Sequence, residues 1–292
     1  MIVFDVPPTP GVRGLRAASF GSCRVTDPLF VLRSQGDIRI CAWGMAAHHT
    51  ATEALQTLEV ITGERVIADH LSPLVFEMET TPSPGKLAPL VRQGVDVYVL
   101  EISSDRQFAI GDVCLQQNFV ARGLIQAHGR AILPWYRVIC RGHVPDEACV
   151  QLVLENLRQA GTDPTELLIE LLRGVRLRSH TADDIALALQ TAMAKVGGVW
   201  IVVGAAIVAA DLGAVMQDRR ALNAKVQEAA VRCGAIYYDP SEFLDRHGRE
   251  AVLDEGGANI YEYARSFYPV VGETLVALAR EHGPIAHDVL AQ

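Results

Sequence analysis

The sequence contains no C-x-x-C pair and no excess of basic residues. Without ligand spacing, its six cysteines give no sign of a zinc site or a redox dithiol. In a reducing compartment such residues are usually small buried hydrophobes. With 26 Lys and Arg against 34 Asp and Glu, the formal net charge is -8. That argues against nucleic acid or an anionic membrane surface as the main partner and leaves a small molecule or another protein. The opening MIVFDVPPTPGVRG has no basic segment followed by a long apolar run, so no secretory signal is expected, and the expected compartment is the cytoplasm. The run GGVWIVVGAAIVAADLGAV is stopped by Asp211 well short of the ~20 apolar residues a membrane span needs. No internal repeat, low-complexity tract or Pro/Gly/Ser linker divides the chain, so 1–292 is read as a single α/β domain.

What is present is enough for a large core: 292 residues, 50% hydrophobic and 21% charged. Short Val/Ile/Leu-rich runs at 15–20, 37–43, 95–102, 199–207 and 235–239 read as strands with helical patterns between them. Continuous apolar strands alternating with helices predict a parallel sheet covered on both faces. With right-handed crossovers, the expected order is 2-1-3-4-5. The helices are expected in CLQQNFVARGLIQAH, DEACVQLVLENLRQA, ADDIALALQTAMAKV, DRRALNAKVQEAAVRC and YARSFYPVVGETLVALAREH. Three of them fall within 107–196, a stretch longer than one crossover requires, which is read as a helical insertion or cap over the carboxyl edge of the sheet.

The first strand ends in Gly21-Ser22-Cys23, and a polar segment that can open a helix follows. Ligands of open parallel sheets bind outside the carboxyl ends of the strands. A thiol at a helix N-terminus is expected to have a depressed pKa and to be the most reactive of the six. The plainer alternative is a strand end with Thr26 or Asp27 capping an ordinary helix. Glu101, Ser103 and Ser104 end the third strand at the same edge, and His48 and His49 follow the second. Each histidine could equally be a loop residue before an N-cap Thr50 or Thr52, with Glu53 in the first turn. His247 follows the fifth strand, where it is either a base folded back to the edge or a turn residue before Gly248; His70 and His180 have weaker claims. His48, His49 and Glu53 do not make a metal site, because adjacent histidines on a helix face different ways and no second ligand group is near in sequence.

SFGSCRVTDPL resembles the first block of the SGNH/GDSL hydrolase superfamily, in the GSCFA-like branch where Gly-Asp-Ser is replaced by Gly-Ser-Cys. DVYVLEISSDRQF is similar to that superfamily's third strand and active-site loop, and QDRRALNAKVQEAAVRCGAIYYDPSEFLDRHG to its last helix–strand–loop passage. The resemblance implies a flavodoxin-like three-layer sandwich. It implies Cys23 as nucleophile, since aligned on glycine Cys23 takes the serine's place and Ser22 the aspartate's. Gly21, Ser22, Arg24, His48, Glu101, Ser103, Ser104, Asn259 and Glu262 are then the expected oxyanion or substrate contacts, with His49 or His247 as base. The oxyanion would be held by the Cys23 N–H and one N–H from the loop after the second or third strand. Members usually carry Asp-x-x-His before the final helix; here LDEGGANIYEYARSFYPVVGETL has no histidine, and Asn259 and Glu262 stand at those places. Three functions follow. One is a cofactor-free, cysteine-dependent acyl-transfer enzyme on a small acyl or thioester metabolite, free or carrier-bound. The second is a catalytically degenerate member that binds a small molecule or partner protein. The third is a scaffolding subunit. A homo-oligomer is compatible with each.

Overall fold

The computed structural model describes residues 14–35, 38–42, 48–76, 94–207 and 214–282. The first half alternates β1 (Leu15–Phe20), α1 (Cys23–Gln35), β2 (Ile38–Ala42), α2 (Ala51–Thr62) and β3 (Val97–Glu101). Next come β4 (Arg106–Ile110), β5 (Val113–Leu115), α3 (Leu133–Cys140), α4 (Glu147–Gln159), α5 (Glu166–Gly174) and β6 (Val175–Ser179). The alternation resumes with α6 (Ala182–Val196), β7 (Val199–Val203), α7 (Ala214–Cys233) and β8 (Ile236–Tyr238). The chain then runs through α8 (Ser241–His247), β9 (Leu253–Asp254), β10 (Asn259–Tyr263) and α9 (Tyr268–His282).

The central sheet runs β2-β1-β3-β7-β8 with every pair parallel. Successive strand residues serve opposite cores: Val97, Val99, Ile201 and Val203 pack with α1 and α9 on one face. Tyr98, Leu100, Trp200 and Val202 pack with α2, α6 and α7 on the other. Burial on both faces is why these strands read as unbroken apolar runs rather than alternating ones. Helix α9 closes tightly on α1 because residue 272 is glycine; a Cβ there would stand 2.7 Å from the carbonyl oxygen of Pro28. Among the described residues no helix is long and apolar enough to cross a membrane.

The expected helical insertion over 107–196 is corrected in two respects. It holds a three-stranded antiparallel sheet, β5-β4-β6, in which Phe108 pairs with both Leu115 and Leu177. This sheet and α3–α5 enclose a core of their own, which includes Trp135, whose indole N–H donates to the Leu172 carbonyl at 2.8 Å. In addition, α6 belongs to the layer covering the central sheet, packed against α2 and α7. The stretch CLQQNFVARGLIQAH is not one helix: Cys114 and Leu115 end β5, and a short α-turn at Gln117–Val120 passes into a π-turn at Ala121–Gln126. The last helix starts at Tyr268 rather than Tyr263, with Pro269 in its first turn, where a missing N–H costs nothing.

The two-faced core makes a direct prediction. Trp200 is 1% exposed and stacks on Tyr98 at 4.7 Å between ring centroids. Trp200→Ala should lower unfolding free energy by about 3–5 kcal/mol. Val66→Ala, at a position 90% exposed, should change it by less than about 0.5 kcal/mol. Urea denaturation of both variants checks this, and similar losses for the two would contradict the packing described.

Candidate active site

Strand β1 carries Gly21, Ser22 and Cys23 to the carboxyl edge of the sheet, and β3 ends beside them in Glu101. A Cβ at position 21 would lie 2.7 Å from both the Glu101 Cβ and the Val25 Cγ2, so glycine is what lets the turn meet the strand. Glu101 is 1% exposed. Its Oε2 accepts the Ser22 N–H at 2.9 Å and the Ser22 hydroxyl at 2.5 Å, and its Oε1 accepts from Nη2 of the buried Arg24. Burial alone would raise the Glu101 carboxyl, but the Arg24 guanidinium and the two Ser22 donors hold it below the ordinary carboxylate range. The Ser22 Oγ also accepts the Arg24 N–H at 3.2 Å, so this hydroxyl is part of the framework.

Cys23 opens α1 and is half-buried. Its thiol is pushed up, contrary to the depressed value expected of a helix N-terminus. Burial is the largest cause, the charges of Glu262, Asp27 and Glu101 add to it, and Arg24 opposes them. Glu262 arrives on β10, which packs against α1, and accepts from the Asn259 side-chain amide at 3.4 Å. The passage without a histidine is thus folded against the helix that Cys23 opens, with a carboxylate acting on the thiol. Asp27 is raised too, by burial, while accepting the Tyr268 hydroxyl at 3.5 Å.

Opposite this group, Thr50 caps α2 in a reciprocal capping box with Glu53. The preceding residue, His49, is held between Ser103 Oγ on Nδ1 at 2.8 Å and the Asn118 amide on Nε2 at 3.2 Å. With the amide nitrogen of Asn118 facing Nε2, that ring nitrogen accepts, and Nδ1 carries the proton and donates to Ser103. Burial lowers the His49 pKa against the pull of Glu101, which favours the neutral imidazole. The carbonyl of His49 accepts the N–H groups of both Ser103 and Ser104 at 3.0 Å. The Ser103 and Ser104 N–H groups in the loop after β3 are thus engaged by His49, and the Ser22 N–H by Glu101. The loop after β2, at 43–47, lies outside the described residues.

The remaining histidines separate clearly. His48 is a core residue, 2% exposed, with Nε2 on Thr57 Oγ1 at 2.8 Å and its ring edge-on to Phe20. His247 is an exposed residue at the end of α8 whose ring lies against Phe267 at 5.1 Å. The structure therefore gives His49, not His247, a place among the polar groups at the sheet edge. His180 contacts Thr52, and His70 pairs with Glu170. Sequence reasoning missed Asn118, Asp27 as a charge acting on the thiol, and Tyr268. Asn118 reaches His49 from a turn that no local pattern marks.

The chain is similar to known proteins over nearly its whole length. Residues 15–278 match the TviD N-terminal domain family. The chain is 23% identical over 273 residues to the Vi polysaccharide biosynthesis protein TviD of Salmonella typhi, covering 89% of this chain and 30% of that protein's length. Among solved structures it is similar to a catalytic mutant of Axe2, an acetylxylan esterase from Geobacillus stearothermophilus, with 10% identity and a TM-score of 0.39 over 92% of this chain and 94% of that one. A second Axe2 mutant, an acetyl-xylooligosaccharide esterase, has 9% identity and a TM-score of 0.37 over 91% and 92% of the two chains.

The charges around the thiol fix the sign of a pH experiment. Since Glu262 disfavours the thiolate, Glu262→Gln should lower the Cys23 pKa and speed its alkylation by iodoacetamide at pH 8 by about 2- to 10-fold, a tenfold change corresponding to one pKa unit. In the native protein the same rate should climb with pH above neutrality. Mass-spectrometric peptide quantification reads both; a Glu262→Gln rate equal to or below the native one would refute the assignment.

Proposed function

The chain belongs to the TviD N-terminal domain family, and from that premise we propose that it is a cysteine-dependent acyl-transfer enzyme working through an acyl-Cys23 intermediate. One observation carries the reading, which is the division of roles within Ser22-Cys23. The hydroxyl of Ser22 is bound by Glu101 and by the Arg24 amide, whereas the thiol of Cys23 lies at the mouth of α1, at the carboxyl edge of the sheet. In the first half-reaction Sγ attacks the acyl carbonyl carbon of an ester or thioester donor. The new S–C bond replaces the bond to the leaving alkoxide or thiolate, which takes the thiol proton. In the second half-reaction an acceptor hydroxyl or amine attacks the acyl-cysteine, the S–C bond breaks, and the sulfur recovers a proton.

In this reading His49 is the base. Burial favours its neutral form, its Nε2 has a lone pair, and the Asn118 amide on that nitrogen is exposed, so an acceptor hydroxyl can take its place. The relative's involvement in polysaccharide biosynthesis favours a saccharide hydroxyl as acceptor. Transfer to a bound acceptor gains from proximity, whereas hydrolysis would need a base positioned on water. The SGNH-like resemblance supports the same chemistry. The raised thiol pKa favours a second reading, a degenerate member that binds its ligand in the same cleft without turnover.

Incubated with an activated acyl thioester, the protein should gain one acyl mass by intact mass spectrometry, yet hydrolyse p-nitrophenyl acetate poorly. Cys23→Ala should abolish the adduct. Ser22→Ala should retain it while losing about 1–3 kcal/mol of stability, because the buried Glu101 carboxylate loses one of its three donors. An adduct that survives Cys23→Ala, or none on the native protein, would leave the binding protein as the better account.

A further inference from the structure

A second buried carboxyl stands at the start of α2, outside the group around Cys23. Glu53 is 6% exposed, and with Gln56, Thr57, Cys114 and Gln116 it borders a polar cavity of about 10 Å³, roughly the room for one water molecule. Its Oε2 accepts the His49 N–H at 2.6 Å and the Thr50 N–H at 3.3 Å, and its Oε1 accepts the Gln107 amide at 3.3 Å. Gln107 is itself fixed. Its amide nitrogen also donates to the carbonyls of Phe108 and Leu115, and its oxygen accepts the hydroxyls of Thr50 and Thr52 at 2.5 and 3.3 Å. A capping box needs only an exposed glutamate. This one is buried and braced across to β4 and β5, which belong to a different core.

We propose that Glu53 is a positioning residue: by clamping the His49–Thr50 backbone to the β4–β5 hairpin, it holds the His49 imidazole between Ser103 and Asn118. The clamp is sensitive to protons. Burial drives the Glu53 carboxyl up to about 7, against the pull of its three donors. When ionised it is the stronger acceptor for the His49 and Thr50 N–H groups, so the hold on His49 tightens as pH rises through 7. Folding stability runs the other way, because a carboxyl raised in the folded state binds a proton that the unfolded chain has lost. Stability from this group is complete below about pH 4.5 and is lost as pH rises through 7.

The facing groups are distinguishable in a titration. His49 is pulled below its usual value by burial, and so is His180, which reaches α2 through Thr52. Cys114 on β5 is pushed up to about 11, chiefly by burial, with Arg65 and Arg178 nearby. His48 is tied to Thr57.

The test is a backbone amide titration of the whole chain by NMR from pH 5.5 to 8.5. The native His49 and Thr50 amide protons should move downfield with a midpoint near pH 7, and Glu53→Gln should remove that midpoint while keeping the Thr50 cap. The pH profile of acyl transfer should lose the same inflection in Glu53→Gln. Absence of a midpoint between pH 6 and 8 in the native protein, or its persistence in Glu53→Gln, overturns the proposal. Should Glu53→Gln not fold, the native titration decides alone. The proposal rests on the acyl-transfer reading only for what His49 does: a normal titration in a protein that forms no acyl adduct refutes the enzyme and leaves the clamp standing.

Discussion

The structure around Cys23 depends on one buried carboxylate. Glu101 ends a strand covered on both faces, and a charge there is tolerated only because Arg24 and two Ser22 donors meet it. Removing one member of such a pair typically costs about 3–5 kcal/mol, since the other is left buried and uncompensated. This constraint explains the residues on either side. Gly21 is needed because the turn approaches the Glu101 side chain at contact distance, and the Ser22 hydroxyl is bound to the carboxylate. Cys23 is the next residue along, and the turn that Glu101 fixes is what sets its place at the head of α1.

Electrostatics then decides the resting state of the thiol. A helix N-terminus stabilises an anion by about 0.3–1 kcal/mol, less than the 1.36 kcal/mol of one pKa unit. Burial and the carboxylates of Glu262, Asp27 and Glu101 oppose that benefit, and the Arg24 charge supports it. Cys23 therefore rests as a thiol. The proposed reaction therefore needs a donor whose leaving group can take the proton and an acceptor presented to His49.

Much of the architecture was legible because parallel strands buried on both faces leave continuous apolar runs. The runs at 15–20, 95–102 and 199–207 contain β1, β3 and β7, with ends trimmed by a few residues. The antiparallel sheet was not seen because its strands are short and half polar. In β6, Val175 and Leu177 alternate with Arg176 and Arg178, a pattern too brief to stand out between helices. At the site, the Gly-Ser-Cys turn could be found from resemblance and strand position. The sign of the Cys23 shift could not. The helix start is local information, whereas Glu101 and Glu262 reach the thiol from distant parts of the chain. The partner of His49 was hidden for the same reason, since Asn118 lies 69 residues away.

In the proposed reaction acyl groups are carried by sulfur. The direct measurement is to acylate the native protein with an activated thioester, digest it, and locate the modification by tandem mass spectrometry before and after neutral hydroxylamine. An acyl group on the Cys23 peptide that hydroxylamine removes is the predicted result; an acyl group that resists hydroxylamine and maps to Ser22 or Ser103 would contradict it.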